Sequence, residues 1–102
     1  MLLFDLNSFI TLLLINKVEA FRDSYSLYRV LAWKFDIITA SDVLKILDEE
    51  KLINEKVENG ISKYEITKKG QEFIEANMIK GESLMLEKYK EEQVFITSLF
   101  SR

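Results

Sequence analysis

The sequence predicts a mainly α chain with one small β-hairpin wing, an α+β fold, and three observations carry that prediction. Ala40, Val43, Leu44 and Leu47 repeat apolar residues at i, i+3, i+4 and i+7, the spacing of one helix face. Asn59-Gly60 lies between two runs that alternate apolar and polar residues, and this dipeptide supplies the positive φ values of a type I′ turn. Proline is absent, which suits helices joined by few rigid loops. The remaining elements are arranged around the stretch from Asp36 to Ile74, which reads as a helix, a tight hairpin and the start of another helix.

The first helix is expected from about Asn7 or Ser8 to Val18. Leu6, Phe9, Ile10, Leu13, Leu14 and Val18 cover much of its circumference, and a helix apolar nearly all round is a buried one. Met1 to Phe4 either extend it or add a short strand. Glu19 to Ser24 is a polar connection in which Asp23 or Ser24 caps the next helix. That helix, Tyr25 to Phe35, carries Leu27, Val30, Leu31 and Phe35, with Tyr28 and Trp33 beside them. Trp33 is expected in the core with its indole N–H as a polar handle, a ligand-stacking role being the alternative.

Asp36 or Thr39 caps the third helix, and Thr39-x-x-Asp42 has the form of a capping box; the helix is expected to end near Lys51. Counting back from the two-residue turn pairs Val57 with Ser62, Glu55 with Tyr64 and Ile53 with Ile66 on one side of the hairpin. Glu58 with Ile61, Lys56 with Lys63 and Asn54 with Glu65 fall on the other. Two opposed lysines repel; either diagonal Glu58 and Glu65 neutralise them, or the pair awaits an external phosphate. Thr67 caps a helix from Lys68 to about Met78, with Phe73, Ile74 and Met78 inward. Gly81 is expected to interrupt, and a last helix covers Glu82 to Phe100.

The 102 residues amount to one domain with a modest core. Residues 1–79 form its body and 80–102 a C-terminal helix expected to serve dimerisation. Leu84, Met85, Tyr89, Phe95, Ile96, Leu99 and Phe100 give that helix an apolar stripe broad enough to mark a partner surface, the alternative being that it folds back onto its own domain. The chain lacks cysteine, excluding disulfides and thiolate sites, and lacks histidine, the commonest general base and metal ligand. No Gly-rich phosphate loop or metal-spaced cluster is present, so no cofactor, metal or catalytic residue is expected, and the plentiful carboxylates read as solvated surface. The apolar N-terminal run is broken by Asp5, Asn7, Ser8 and Thr11 and has neither a signal-peptide pattern nor a membrane span, so a cytoplasmic location is expected. The net charge of −3 lowers the expectation of a nucleic-acid partner.

From the second helix onward the order of elements, with the segment Leu44-Lys45-Ile46-Leu47-Asp48-Glu49-Glu50-Lys51-Leu52-Ile53 before the hairpin and Tyr64-Glu65-Ile66-Thr67-Lys68-Lys69-Gly70 after it, resembles the winged helix-turn-helix transcription regulators of the MarR and PadR type. Those families carry L-x-x-L-x-x-x-G-L-I and Y-x-L-T-x-x-G at these places, and the resemblance covers about residues 8–76. It implies a DNA-binding regulator acting as a homodimer, with the third helix in the major groove. By position the exposed residues Ile38, Thr39, Ser41, Asp42 and Lys45 would reach the major groove, Thr39, Ser41, Asp42 and Lys45 meeting bases, while Arg29, Lys34, Lys56, Lys63, Lys68 and Lys69 would meet phosphates. The resemblance also allows a small-molecule pocket at the dimer interface, lined by Phe, Tyr and Trp33, but no effector is legible here.

Two departures weigh against this expectation. Lys51 replaces the usual glycine, so the helix-to-strand corner is expected to differ. Asp42, followed by Asp48-Glu49-Glu50, makes the third helix a poor reader of DNA by charge, although a carboxylate can accept from cytosine N4. The alternative is a winged helix used for protein association, with the acidic third helix and the apolar C-terminal helix as its contact surfaces and no affinity for duplex DNA.

Overall fold

The computed structural model describes residues 3–101, and its centre is a helix, α1 (Leu6–Lys17), in which every side chain from Ser8 to Ile15 is buried. An all-round apolar sequence therefore gives an all-round buried helix, as expected. Asp5 caps it, accepting from the Ser8 amide at 3.0 Å and the Ser8 hydroxyl at 2.9 Å. Thr11, fully buried, donates to the Asn7 carbonyl at 2.8 Å, so burial leaves its hydroxyl satisfied. Leu3 and Phe4 belong to no helix or strand, and Met1 and Leu2 lie outside the described residues.

A short 3₁₀ turn, Glu19–Arg22, follows. Arg22 reaches back to the carbonyls of Ile15, at 3.0 Å, and Asn16, at 3.4 Å, placing a cation on the unsatisfied end of α1. Asp23 then caps α2 (Ser24–Lys34), accepting from the Tyr25 amide at 2.7 Å. Leu27, Val30 and Leu31 point inward, followed by buried Phe35. Trp33 does not join them: it is 80% exposed, against the expectation of a core position. Leu27, Leu31 and Phe35 set the inner face of α2, and a residue two positions beyond Leu31 is turned about 200° from it.

Asp36 adopts a left-handed conformation, φ 50°, and so turns the chain instead of capping. Thr39 is the N-cap of α3 (Ala40–Glu49), but its side chain makes no capping bond, so the expected capping box does not form. Ala40, Val43, Leu44 and Leu47 form the buried stripe, as their spacing requires. The helix ends in a Schellman corner. The Leu52 amide donates to the Leu47 carbonyl at 2.9 Å, the Lys51 amide to that of Asp48 at 3.1 Å, and Lys51 takes φ 62°. Lys51 thus takes a left-handed conformation that glycine adopts most readily.

β1 (Ile53–Glu58) and β2 (Ile61–Ile66) pair antiparallel in the register counted from the turn, through all six pairs. Asn59 and Gly60 both have positive φ, 54° and 78°, as a type I′ turn requires. Ile53 and Tyr64 anchor the hairpin to the core. At its other edge β2 meets Asp23 in a single antiparallel bridge through Lys63.

Thr67 turns the chain into α4 (Lys68–Ala76). It accepts from the Gly70 amide at 3.0 Å and donates to the Lys51 carbonyl at 2.7 Å, joining the new helix to the α3 corner. Gly70 lies directly on the Leu52 backbone, the close approach that its lack of a side chain allows.

The C-terminal part departs from the single helix expected. α4 stops at Asn77, whose side-chain amide donates to the Phe73 carbonyl at 2.8 Å. α5 (Met78–Lys88) follows at once, with Gly81 inside it, facing the Phe9 ring, and not at a break. A second break, the 3₁₀ turn Lys90–Glu92, separates α5 from α6 (Gln93–Phe100). Tyr89 holds that bend. Its ring meets Phe35 edge-on at 5.0 Å and its hydroxyl donates to the Phe35 carbonyl at 3.1 Å. The bend returns Ile96 and Leu99 to the core, with Phe100 stacked near Phe9. Among the described residues no helix is long and apolar enough to cross a membrane.

Candidate nucleic-acid and protein interface

The residues expected to meet bases, Thr39, Ser41, Asp42 and Lys45, are all exposed on α3 or its cap, and none of their side chains is engaged within the described residues. The helical stripe that buries Ala40, Val43, Leu44 and Leu47 turns the intervening positions outward. Two apolar residues share this surface, Ile38, 89% exposed, and Ile46; Val57 is exposed on β1. Sequence reasoning placed Ile38 among the outward positions but assigned no role to Ile46 or Val57. Both follow from the same periodicities, since Ile46 lies between buried Leu44 and Leu47, and Val57 lies at the free end of the hairpin.

The six cations expected to meet phosphates divide evenly. Lys34 pairs with Glu92 at 3.4 Å, Lys56 pairs with Glu65 at 3.3 Å, and Lys69 donates to the Glu50 carbonyl at 2.9 Å. Arg29, Lys63 and Lys68 make no ion pair among the described residues, although Arg29 lies over the Tyr25 ring at 5.6 Å. The opposed lysines of the hairpin are thus answered internally on one diagonal, by Glu65; among the described residues Glu58 makes no such pair. Both ion pairs are at least partly exposed, and pairs of that kind are worth about 0–1 kcal/mol, so they do not lock the lysines in place.

The distribution of charge is more decisive than any single contact. Residues 38–66, which comprise α3 with its leading turn and the wing, carry seven carboxylates against four lysines. That net −3 equals the net charge of the whole chain, and the other residues balance ten against ten. Within α3 the acids gather at the C-terminal end, Asp48 and Glu49 with Glu50 as C-cap, and no cation lies in the last turn. Carboxylates there reinforce the negative end of the helix dipole.

Tyr64 fixes the wing to the body of the domain. Burial, together with neighbouring Tyr28 and Glu55, pushes its hydroxyl well above the usual tyrosine range, so it stays neutral at the base of the acidic surface. Among the described residues, no three acidic, His or Cys side chains are placed to hold a metal ion.

The residues expected at a dimer interface are brought together, but largely inward. Met85, Ile96 and Leu99 are buried within the chain's own core, while Leu84, Tyr89, Phe95 and Phe100 are half-buried. The bend at Tyr89 consumes the stripe in cis, so the seven residues do not form one free face. The exposed large apolar side chains of this region are instead Ile79 and Val94. No family model, curated protein or solved structure matches the chain.

Proposed function

We propose that the chain is a winged-helix module that binds another protein through the acidic surface of α3 and the wing. The element order supports the winged helix: a helix, a one-residue bridge to β2 at Asp23, two helices, then the hairpin. The observation that carries the protein-binding reading is the charge. The segment that a winged helix turns toward DNA holds all of this chain's net −3. Phosphate neutralisation supplies most of the sequence-independent affinity for DNA, and this surface repels phosphates instead. Carboxylates with exposed Ile38, Ile46 and Val57 among them suit a partner that is basic and partly apolar.

The test compares the wild-type chain with a triple reversal, Asp42→Lys, Glu49→Lys and Glu55→Lys, all at exposed positions. Wild type is expected to bind a cationic amphipathic peptide and not random duplex DNA at physiological salt. The triple variant is expected to lose the peptide and gain DNA affinity that falls steeply as salt rises. Wild-type binding to duplex DNA at physiological salt would overturn the reading.

A second reading, a homodimeric DNA-binding regulator, is favoured by one observation: Thr39, Ser41 and Lys45 are exposed and unengaged on α3. Arg29, Lys63 and Lys68, with Lys34 and Lys56 released from their weak ion pairs, would then contact phosphates. It requires a two-fold axis that sets two α3 helices about 34 Å apart.

A further inference from the structure

The wing turn carries a reactive pair that its part in the hairpin register leaves unused. Of the chain's five asparagines, Asn59 alone precedes a glycine. The peptide nitrogen that follows an asparagine can attack that residue's side-chain amide, and glycine, with no Cβ, hinders the attack least. At this turn the approach is open too. Asn59 and Gly60 are both exposed, and no atom lies within 4 Å of where a Cβ on Gly60 would stand. Among the described residues the Asn59 side chain makes no hydrogen bond. The Gly60 amide donates to no turn, loop or cap carbonyl. The other asparagines lack these conditions. The amide after Asn7 is bonded to the Asp5 carboxylate at 3.0 Å, and Asn16, Asn54 and Asn77 precede Lys17, Glu55 and Met78 in or at the end of regular elements.

We propose that Asn59 is a self-modifying site, which water converts to aspartate and isoaspartate. The Gly60 nitrogen gives its proton to hydroxide and bonds to the Asn59 Cγ; the bond from Cγ to Nδ2 breaks, releasing ammonia and leaving a cyclic imide. Water then opens the imide. Opening at Cγ gives aspartate, and opening at the main-chain carbonyl gives isoaspartate. The net change consumes water and releases ammonia, with no oxidant or reductant. Ring closure rotates the backbone between Asn59 and Gly60 out of the type I′ geometry, so opening of the tip gates the rate. That opening is local, because residues 54–61 are all exposed while Ile53 and Tyr64 hold the base of the hairpin in the core. The products differ in effect. Aspartate keeps the turn, since Asp-Gly suits type I′ as Asn-Gly does. It adds a carboxylate beside Glu58, so that residues 38–66 hold eight carboxylates, the seven already present and this one, against four lysines. Isoaspartate moves the side-chain methylene into the backbone and lengthens the turn that fixes the strand register. The conversion is independent of what α3 and the wing bind.

The experiment incubates the folded chain, and a free peptide of residues 54–65, at mildly acidic to mildly alkaline pH and follows both by peptide-mapping mass spectrometry. The amide-to-acid mass gain is expected in the fragment that holds Asn59 before any other asparagine converts. Its rate should rise about tenfold per pH unit, as the deprotonated fraction of a weakly acidic amide does far below its pKa. The folded chain should convert more slowly than the free peptide, because the turn must open first. The isoaspartate form, separated from the aspartate form by chromatography, should melt several degrees below the unmodified chain. Asn59→Gly preserves a type I′ turn without a side-chain amide and is expected to keep its fold and lose the mass gain. A folded chain that retains Asn59 while the free peptide converts overturns the proposal. Conversion that begins at another asparagine, or that persists in the same fragment of the Asn59→Gly chain, overturns it as well.

Discussion

Replacing Gly70 by alanine tests the joint that holds the wing, α3 and α4 together. A Cβ built on Gly70 overlaps the Leu52 carbonyl oxygen and lies 3.2 Å from its carbon. These are backbone atoms, and the oxygen already accepts the Thr67 amide at 3.1 Å, so no flexible side chain can give way. Helix propensity alone would favour alanine by about 1 kcal/mol. Against that stand about 1–3 kcal/mol of overpacking strain and about 0.5–1.5 kcal/mol if the Thr67-to-Leu52 bond is lost. The balance is a destabilisation of about 1–3 kcal/mol. For a chain of this size 1 kcal/mol moves the melting temperature by about 4–8 °C, so the loss is easily seen in thermal or urea unfolding followed by circular dichroism. A Gly70→Ala chain as stable as wild type, or more stable, would refute the close seating of α4 on the α3–β1 corner.

Lys51 spends φ 62° at a corner that suits glycine; Lys51→Gly is expected to raise unfolding free energy by about 0.5–1 kcal/mol, the relief of left-handed strain less the entropy of glycine, measured as a higher urea midpoint at constant slope. Tyr64 has its hydroxyl pushed up by burial, so the folded state favours the neutral form. The corresponding stability is complete below the ordinary tyrosine value of 10.0 and is lost as pH rises from there toward the folded value. Urea unfolding should therefore show a decline as pH rises above 10.0 that Tyr64→Phe flattens, about one proton's worth of slope. Tyr89→Phe keeps the edge-on contact with Phe35 but removes the 3.1 Å bond to its carbonyl; a loss of about 1 kcal/mol is expected, with hydrogen exchange faster in α6 than in α1.

Much of the fold was legible because two periodicities were strong and local. The hairpin register followed from Asn59-Gly60 and alternation, since a two-residue turn leaves one way to pair the strands. The buried stripe of α3 and the Thr67 cap were equally local. What escaped was set by contacts distant in sequence. Nothing between Leu84 and Phe100 interrupts the helical period; the break comes from Tyr89 reaching Phe35, more than fifty residues away. Gly81 looked like a breaker and instead accommodates Phe9. The Asp23–Lys63 bridge, the feature that ties the wing to the start of α2, has no strand signal because it is one residue long. Trp33 differs: its angle from Leu27, Leu31 and Phe35 on the helical wheel already turns it outward, although its hydrophobicity favours burial.

The candidate surface was legible in part. Thr39, Ser41, Asp42 and Lys45 are exposed, as the helical period required. The engagement of Lys34 by Glu92 and of Lys69 by the Glu50 carbonyl was not, because both bonds cross between elements far apart in sequence. The concentration of acidic charge in residues 38–66 can be counted in the sequence, whereas the exposure of Asp42, Asp48, Glu49 and Glu55 is read from the structure.

The central proposal is that the chain is a winged helix whose surface charge suits a basic protein partner and not DNA. A fluorescence-anisotropy titration of random duplex DNA over a range of salt tests it most directly, run on wild type and on the Asp42→Lys, Glu49→Lys, Glu55→Lys chain. The account predicts no binding by wild type at physiological salt and salt-dependent binding by the triple variant. Wild-type binding that weakens with rising salt would contradict it and return α3 to the role of a recognition helix.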